Sequence, residues 1–526
     1  MLAARLLLAV AAGLVAGIAF EPLALAYALP VAVALLTAAC HGLGPGRGFL
    51  AGSCFGISFM LVLLPWLQVI GTDAWIGLSV LQGLFYGLLG MATSAVVRLP
   101  WWPLWAAAAW TGVELLRGTV PFGGFPWGRL SFATVDTPFA PLFATVGAAG
   151  VSFAVALVGV VLAWAVLRLR QAPVRAVGAV VATVALVALA SVTAPVTGQG
   201  DEAGDEAGEE PATLTVAAVQ GDVPGVGMNA FAERRAVLDN HVAATRRLAT
   251  RIRSGEVTRP AFVVWPENST DIDPFQDPTV YDDIQAAVDA VGVPILVGAL
   301  VDGPEPDEVL NQGIVWEPSR GPVQRYSKNH PVPFGEYIPF RDQIAQLVTR
   351  LDQIPRDMRP GRRPGLLDLG GTPVGDLICF EVAYDDLLRG VVRGGAEMVV
   401  VQTNNATYMG TGQIEQQFAI TRLRAIETGK TVVVAATNGV SGVVNPDGEV
   451  TARAPVRTQQ VLVESVSPTR GVTTGIRFGA WIELGLAVVA ALALFAALVL
   501  RRRDRRPPSV DRAEASIASR TPVRTG

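Results

Sequence analysis

The chain has 526 residues, 51% of them hydrophobic and 16% charged, with a net charge of −4 and a mean hydropathy of +0.43. Soluble domains carry about 25% charged residues, so part of this chain is expected to face lipid. The small net charge gives no footing for a nucleic-acid partner. Three cysteines, none at metal-ligand spacing, rule against a disulfide framework and a zinc site.

Residues 1–195 are a succession of apolar runs, and a bilayer takes about 20 residues of helix to cross. They predict a membrane domain of seven spans, near 3–20, 23–41, 48–70, 74–97, 101–117, 138–167 and 175–194. The first run, with Arg5 ahead of it, has the look of a signal peptide. Six spans follow it directly, so an uncleaved helix is expected. An eighth span is predicted at 479–500.

Positive charge orients these spans. Arg501, Arg502, Arg503, Arg505 and Arg506 follow the last one, and Arg168, Arg170 and Arg175 lie between the sixth and seventh. Arg47 and Arg98 fall in alternate loops. Both termini are therefore expected in the cytoplasm, with 195–478 outside a plasma membrane. Arg117 and Arg129 are exceptions on the outer side.

Residues 196–211, centred on the acidic, glycine-rich stretch Gly198–Glu210, predict a solvated linker. The basic tail, 501–526, is expected to be disordered. Between them, 212–470 changes texture. Short apolar runs at Leu214–Val219, Ala261–Trp265, Pro294–Ala299, Gly375–Phe380, Glu397–Gln402 and Thr431–Thr437 predict buried strands. Helical stretches at 230–253, 280–291 and 413–428 alternate with them, which predicts an α/β domain.

Three strand ends in this domain carry chemistry. Val263-Val264-Trp265-Pro266-Glu267 runs an apolar strand into a stop and delivers a carboxylate. Tyr326-Ser327-Lys328-Asn329-His330 precedes Val332-Pro333-Phe334-Gly335-Glu336, and Lys328 is one of only two lysines, with Lys430, among 41 basic residues. Asp376-Leu377-Ile378-Cys379-Phe380-Glu381 ends a strand on a thiol, a placement that exposes a nucleophile above a sheet.

Each has an ordinary explanation alone: a loop glutamate, a surface lysine, a packed cysteine. Together they supply a nucleophile, a base in Glu267 and a cation in Lys328 that lowers the thiol pKa and stabilises an oxyanion. Glu336 or Glu381 is placed to orient Lys328. A Cys379–His330 pair is a rival arrangement. Pro331, and the position of His330 two residues from Lys328, favour a loop-shaping role for that histidine. Cys40 and Cys54 are expected to be inert packing residues, and His41 and His241 have no evident partner.

These motifs resemble the carbon–nitrogen hydrolase (nitrilase) superfamily. Set between seven apolar spans and an eighth, they resemble the apolipoprotein N-acyltransferase family, of the actinobacterial kind. Further matches are Val219-Gln220-Gly221-Asp222-Val223-Pro224, Thr403-Asn404-Asn405-Ala406 and Arg422-Leu423-Arg424-Ala425-Ile426-Glu427. The resemblance covers the chain to about residue 500. It implies an extracytoplasmic αββα sandwich on a polytopic helical bundle, a triad of Glu267, Lys328 and Cys379, and supporting carboxylates Glu336 and Glu381.

It also implies ping-pong acyl transfer without cofactor or metal. A phospholipid sn-1 acyl chain passes through a Cys379 thioester to the amine of a diacylglyceryl-cysteine at an apolipoprotein N-terminus. Tyr408, Asn405 and Trp127 are candidate substrate contacts, Trp127 having an interfacial aromatic belt as its other reading. The competing functions are a membrane-anchored amidase and a non-catalytic scaffold or transporter. Eight spans exceed what an anchor needs, and the spans hold few of the ionisable groups that line transport pathways.

Overall fold

A computed structural model describes residues 2–193, 213–224, 234–344 and 354–504. The linker expected over 196–211 and the tail beyond Asp504 lie outside the described residues.

Apolar helices form at all eight expected places: α1 (Leu2–Gly17), α2 (Ala28–Cys40), α3 (Pro45–Leu63), α4 (Thr72–Val96), α5 (Trp102–Thr119), α6 (Phe143–Arg168), α7 (Pro173–Thr193) and the last helix of the chain, Thr474–Asp504. Five are long and apolar enough to cross a membrane: α3, α4, α6 with its leading turn, α7 and the last. Of the eight expected spans, these five meet the length and composition of a crossing helix among the described residues. Helices α1 and α2 have only 16 and 13 residues, and α5 carries Glu114 and Arg117. The span expected over 48–70 breaks at Leu63, because Pro65 has no N–H to continue the helix and starts a 3-10 turn over Pro65–Val69.

Helices α3 and α4 pack backbone to backbone. A Cβ on Gly52 would stand 2.0 Å from the Tyr86 carbonyl oxygen, and one on Gly90 2.2 Å from that of Gly48. Small residues at helical spacing permit this approach and give the van der Waals contact that lipid tails cannot drive by hydrophobicity.

The second unit begins with β1 (Leu214–Gln220), α8 (Arg234–Arg253), β2 (Phe262–Val264), α9 (Pro278–Val291), β3 (Ile295–Asp302), β4 (Glu308–Glu317), β5 (Gly321–Ser327), α10 (Arg341–Ile344) and β6 (Asp357–Met358). It continues through β7 (Leu366–Leu369), β8 (Thr372–Ile378), α11 (Asp385–Arg393), β9 (Met398–Thr403), α12 (Gln413–Thr428), β10 (Val432–Ala436), β11 (Gly442–Val444), β12 (Val450–Arg453) and β13 (Gln460–Val466). The final apolar helix is α13. Helix α8 was expected from residue 230; its first four predicted residues lie outside the described residues.

Among the described residues, one sheet has the order β13-β1-β2-β3-β4-β5 with β6 on β4, and the other β12-β11-β10-β9-β8-β7. The inner strands β1-β2-β3 and β8-β9-β10 are parallel, and antiparallel strands flank both sets. Alternation along each strand sorts the side chains into layers. In β1, Val216 and Ala218 join Val264, Leu296, Ile378 and Val400 between the sheets, whereas Ala217 and Val219 pack under α8 and α9. Helices α11 and α12 cover the second sheet, which completes an αββα sandwich.

That last helical layer shares one apolar cluster with the membrane helices, running from Ala9 and Phe55 through Trp127 to Leu388, Leu423 and Val401. Buried charge crosses the same boundary. Arg129, between α5 and α6, pairs with Asp385 of α11 at 2.7 Å, Glu483 of α13 at 2.9 Å and Glu114 of α5 at 3.7 Å. Asp385 also accepts from Arg424 of α12 at 2.6 Å, and Arg424 bonds Glu427 and the carbonyls of Val382 and Ala383. Arg117 donates to Gln82 and to the carbonyls of Phe125 and Trp127. The two arginines that broke the charge rule are thus internal fasteners of the bundle and its junction.

Removing one partner from a buried ion cluster leaves charges without compensation, at a cost of about 3–5 kcal/mol. Arg129→Met should lower the thermal midpoint of the detergent-solubilised protein accordingly. Exposed Arg246→Met should leave it within experimental scatter.

Candidate active site

Glu267 stands at the end of β2, where the apolar run Phe262–Val264 meets Trp265-Pro266. Gly298 on β3 lets this turn close: a Cβ there would lie 2.1 Å from the Pro266 carbonyl oxygen and 2.8 Å from the Glu267 Cα. Lys328 follows β5 directly, and its N–H donates to the Asn311 carbonyl at 2.9 Å. Cys379 follows β8. The expected strand over Gly375–Phe380 stops at Ile378, because Cys379 takes φ +57°, the left-handed region that L residues rarely adopt. The chain turns there into a 3-10 segment, Cys379–Ala383.

Three loops from three strand ends thus converge. Lys328, 1% exposed, donates from Nζ to Glu267 Oε1 at 2.9 Å and to Glu336 Oε1 at 2.6 Å. Glu267, 3% exposed, also accepts from Asn311 Nδ2 at 2.8 Å and from the Asn404 N–H at 2.9 Å. Glu336 accepts the Val332 N–H at 2.9 Å, which closes its own loop. Thr403 Oγ1 lies 3.2 Å from Cys379 Sγ and accepts from Gln417 Nε2 at 2.9 Å.

Charge decides the resting state. Burial works against the Lys328 ammonium, but Glu267 and Glu336 more than offset it and hold its pKa well above the usual value. Burial raises the Glu336 pKa, with Lys328 opposing. Cys379 is pushed up to about 12, first by burial and then by Glu267, against the pull of Lys328. Burial and the neighbouring Glu267 together favour the protonated sulfur. Moving that proton from sulfur to a carboxylate conserves the charge of the whole group.

Glu381 does not orient Lys328 directly. Its carboxylate accepts the N–H groups of Ile378 at 2.8 Å, Asn329 at 2.6 Å and His330 at 3.1 Å, and both oxygens lie 2.9 Å from the Tyr326 hydroxyl. It therefore ties the lysine loop to the cysteine strand. His330 stacks on Tyr384 at 4.1 Å, with Nε2 3.6 Å from Asp386, so its ring is engaged away from the thiol and the rival Cys–His pair gains no support. Asn311, Thr403, the Asn404 N–H and Tyr326 carried no role in the sequence reading. The Asn311-Gln312 pair interrupting β4 was the available signal.

The three candidate substrate contacts diverge. Trp127, 1% exposed, stacks on Phe380 at 5.0 Å and 9° and donates to Gln416 of α12 at 2.8 Å. Gln416 in turn donates to the carbonyls of Glu21 and Leu63. Tyr408 packs edge-on against Trp66 at 5.2 Å. It is close enough to Cys379 and Lys328 to feel both, and its hydroxyl pKa is raised, chiefly by burial. Asn405 is consumed internally, by Gln413 at 2.9 Å, Gln417 at 3.1 Å and Thr403 at 3.2 Å. Among the described residues, no cluster of acidic, histidine or cysteine side chains could hold a metal.

A Glu–Lys–Cys cluster at the strand ends of an αββα sandwich, carried on a helical membrane bundle, defines a membrane-borne member of the carbon–nitrogen hydrolase class. Comparison with known proteins agrees. Residues 215–473 match the carbon–nitrogen hydrolase family, and residues 12–161 match the apolipoprotein N-acyltransferase N-terminal domain.

A protein of Mycolicibacterium smegmatis named apolipoprotein N-acyltransferase is 37% identical over 402 residues, 71% of this chain and 66% of the relative's own length, just under two thirds. One of the same name from Ralstonia nicotianae is 32% identical over 390 residues, 72% of this chain and 68% of that one. Among solved structures, an amidase from Nesterenkonia sp. is 17% identical, covering 50% of this chain and 93% of that one, with a TM-score of 0.37. The chain belongs to the apolipoprotein N-acyltransferase family.

With the thiol pKa near 12, the thiolate fraction grows about tenfold per pH unit across the accessible range. The Cys379-dependent rate of iodoacetamide alkylation, taken as the difference from Cys379→Ala, should therefore rise about tenfold per unit from pH 7 to 9.5. A plateau near pH 8 would mean that Lys328 outweighs burial and Glu267.

Proposed function

We propose that this protein transfers an acyl chain from a phospholipid, through a thioester on Cys379, to the N-terminal amine of a diacylglyceryl-cysteine in an apolipoprotein. One observation carries the reading. Trp127 of the membrane bundle stacks on Phe380, the residue after the nucleophile, so the reactive sulfur stands at the junction of sandwich and bundle. That junction is where a chain leaving the lipid phase meets the sulfur.

Glu267 takes the Cys379 proton as sulfur attacks the ester carbonyl, and Lys328 stabilises the oxyanion that forms. The ester C–O bond breaks, and the lysophospholipid leaves with the proton from Glu267. In the second half the amine attacks the thioester carbonyl and gives a proton to Glu267, the C–S bond breaks, and Glu267 returns that proton to the sulfur. Glu336 keeps Lys328 aimed, and Glu381 keeps the two loops in register. Tyr408 and Trp127 are proposed to border the acyl path.

Residues 1–195 and 479–500 serve as the membrane part, and 212–470 as the catalytic domain. The sandwich faces the outside of the plasma membrane with both termini in the cytoplasm. This orientation is supported by Arg47, Arg98, Arg168, Arg170 and Arg175.

Incubation with phospholipid labelled in the sn-1 chain should give a hydroxylamine-sensitive protein adduct that Cys379→Ala lacks. Its absence from the unsubstituted protein would sink the reading, and ammonia release from simple amides would favour a membrane-anchored amidase. Glu267→Gln should bind lipid yet lose acylation by at least about a hundredfold, the usual contribution of a general base. Near-normal adduct formation in that variant would remove Glu267 from the role.

A further inference from the structure

Far from the sulfur, a cavity of about 510 Å³ lies among the ends of α2, α4, α5 and α6. His41, Arg98, Trp102, Trp164, Arg168 and Gln171 line it, with Val97, Leu99 and Leu167 between them. Its place along the bundle follows from the helices. Helix α5 starts at Trp102, and the loop after its other end meets the sandwich, where the Gly124 carbonyl accepts from Tyr384 and Arg129 pairs with Asp385. Eighteen residues at 1.5 Å put the cavity roughly 27 Å from that junction, close to the thickness of a hydrocarbon core. Helix α6 agrees: Ala148, near its start, donates to Glu427 of α12, and Arg168 ends it.

The lining combines three features of a phosphate site at a membrane surface. Arg98 and Arg168 are exposed, and neither pairs with a carboxylate among the described residues; Arg168 bonds only the neutral Gln171, at 3.1 Å. His41 Nδ1 is buried with no hydrogen-bond partner among the described residues, and its ring lies 6.1 Å from that of Trp102. Trp101, Trp102, Trp105 and Trp164 gather at this level, as aromatic side chains do at the headgroup boundary. Guanidinium forks match phosphate oxygens, and apolar walls beside them suit the first carbons of acyl chains.

We propose that this cleft binds the phosphate headgroup of an anionic phospholipid in the leaflet opposite the catalytic sandwich, as a site separate from the acyl-donor path. A free phosphate compound shares the polar chemistry. The tryptophans and leucines favour the lipid. The proposal rests on the membrane placement of the bundle given above.

The test uses the full chain, purified and reconstituted into nanodiscs of phosphatidylcholine with a minor fraction of phosphatidylglycerol, with retained lipid counted by native mass spectrometry. The unsubstituted protein should keep phosphatidylglycerol over phosphatidylcholine. Arg98→Gln/Arg168→Gln should retain about thirtyfold less, each basic residue contributing about a factor of five. Arg98→Lys/Arg168→Lys should recover most of the retention, and Arg175→Gln, exposed on α7 outside the cleft, should not change it.

Equal losses in Arg175→Gln, or none in the double glutamine variant, would overturn the site. Inorganic phosphate or glycerophosphate displacing the lipid at equal concentration would overturn the assignment to lipid. If the double variant fails to fold, the single Arg98→Gln carries the test, with about a fivefold loss expected and no loss overturning the site. Formation of the Cys379 adduct in the same nanodiscs reports the membrane placement independently, so failure of the lipid site is distinguishable from failure of that placement.

Discussion

A buried ammonium is the constraint on which the site is built. Taking Lys328 out of water would cost several kcal/mol without compensation, and two carboxylates within 3 Å supply it. Those carboxylates need holding in turn, and the surroundings supply the donors. Asn311 and the Asn404 N–H hold Glu267, the Val332 N–H holds Glu336, and Glu381 ties the backbone on either side. These donors come from β4, from the ends of β8 and β9 and from the loop after β5, so the cluster around the ammonium ties strands of both sheets together. Cys379 enters a field already set, in which burial and Glu267 favour its protonated form against the pull of Lys328.

The same logic recurs where the sandwich meets the bundle. Arg129 and Arg424 share Asp385, and each reaches a further carboxylate. Arg424 also holds the carbonyls of Val382 and Ala383, at the end of the turn that begins with Cys379. An ion cluster of this kind contributes little net stability compared with apolar packing, but it has one geometry, whereas an apolar contact tolerates sliding. Gln416 adds a neutral version, with its amide shared among two indoles and two carbonyls. The turn that carries Cys379 and the membrane part are therefore held in register through α12.

Much of the fold was legible in sequence because its signals are local. The eight apolar runs, the parallel strands β1, β2, β3, β8, β9 and β10, and helices α8, α9 and α12 all come from runs of one texture. Strands β4 and β5 escaped notice because their sequences are interrupted by polar residues, two of which, Asn311 and Gln312, donate to Glu267 and Ser327. The short strands β6, β7, β11 and β12 pair over only two to four residues each, too few to show a period. Span lengths were overestimated where a proline or short turn lay inside an apolar run, since composition alone does not register a missing N–H.

By itself the sequence singled out a carboxylate, one of two lysines and one of three cysteines as candidates, each at the end of a strand that the structure then brings to one site. It determined as well that they belong with membrane helices. Only the tertiary structure decided that Glu336 faces Lys328 while Glu381 caps backbone, that Asn405 is occupied by its neighbours, and that Arg117 and Arg129 are internal fasteners. Those distinctions depend on which side chains meet, at separations from 2 residues, for Asn405 and Thr403, to 354, for Arg129 and Glu483. A carboxylate two residues after a thiol and one eight residues after a lysine look alike until packing sets their distances.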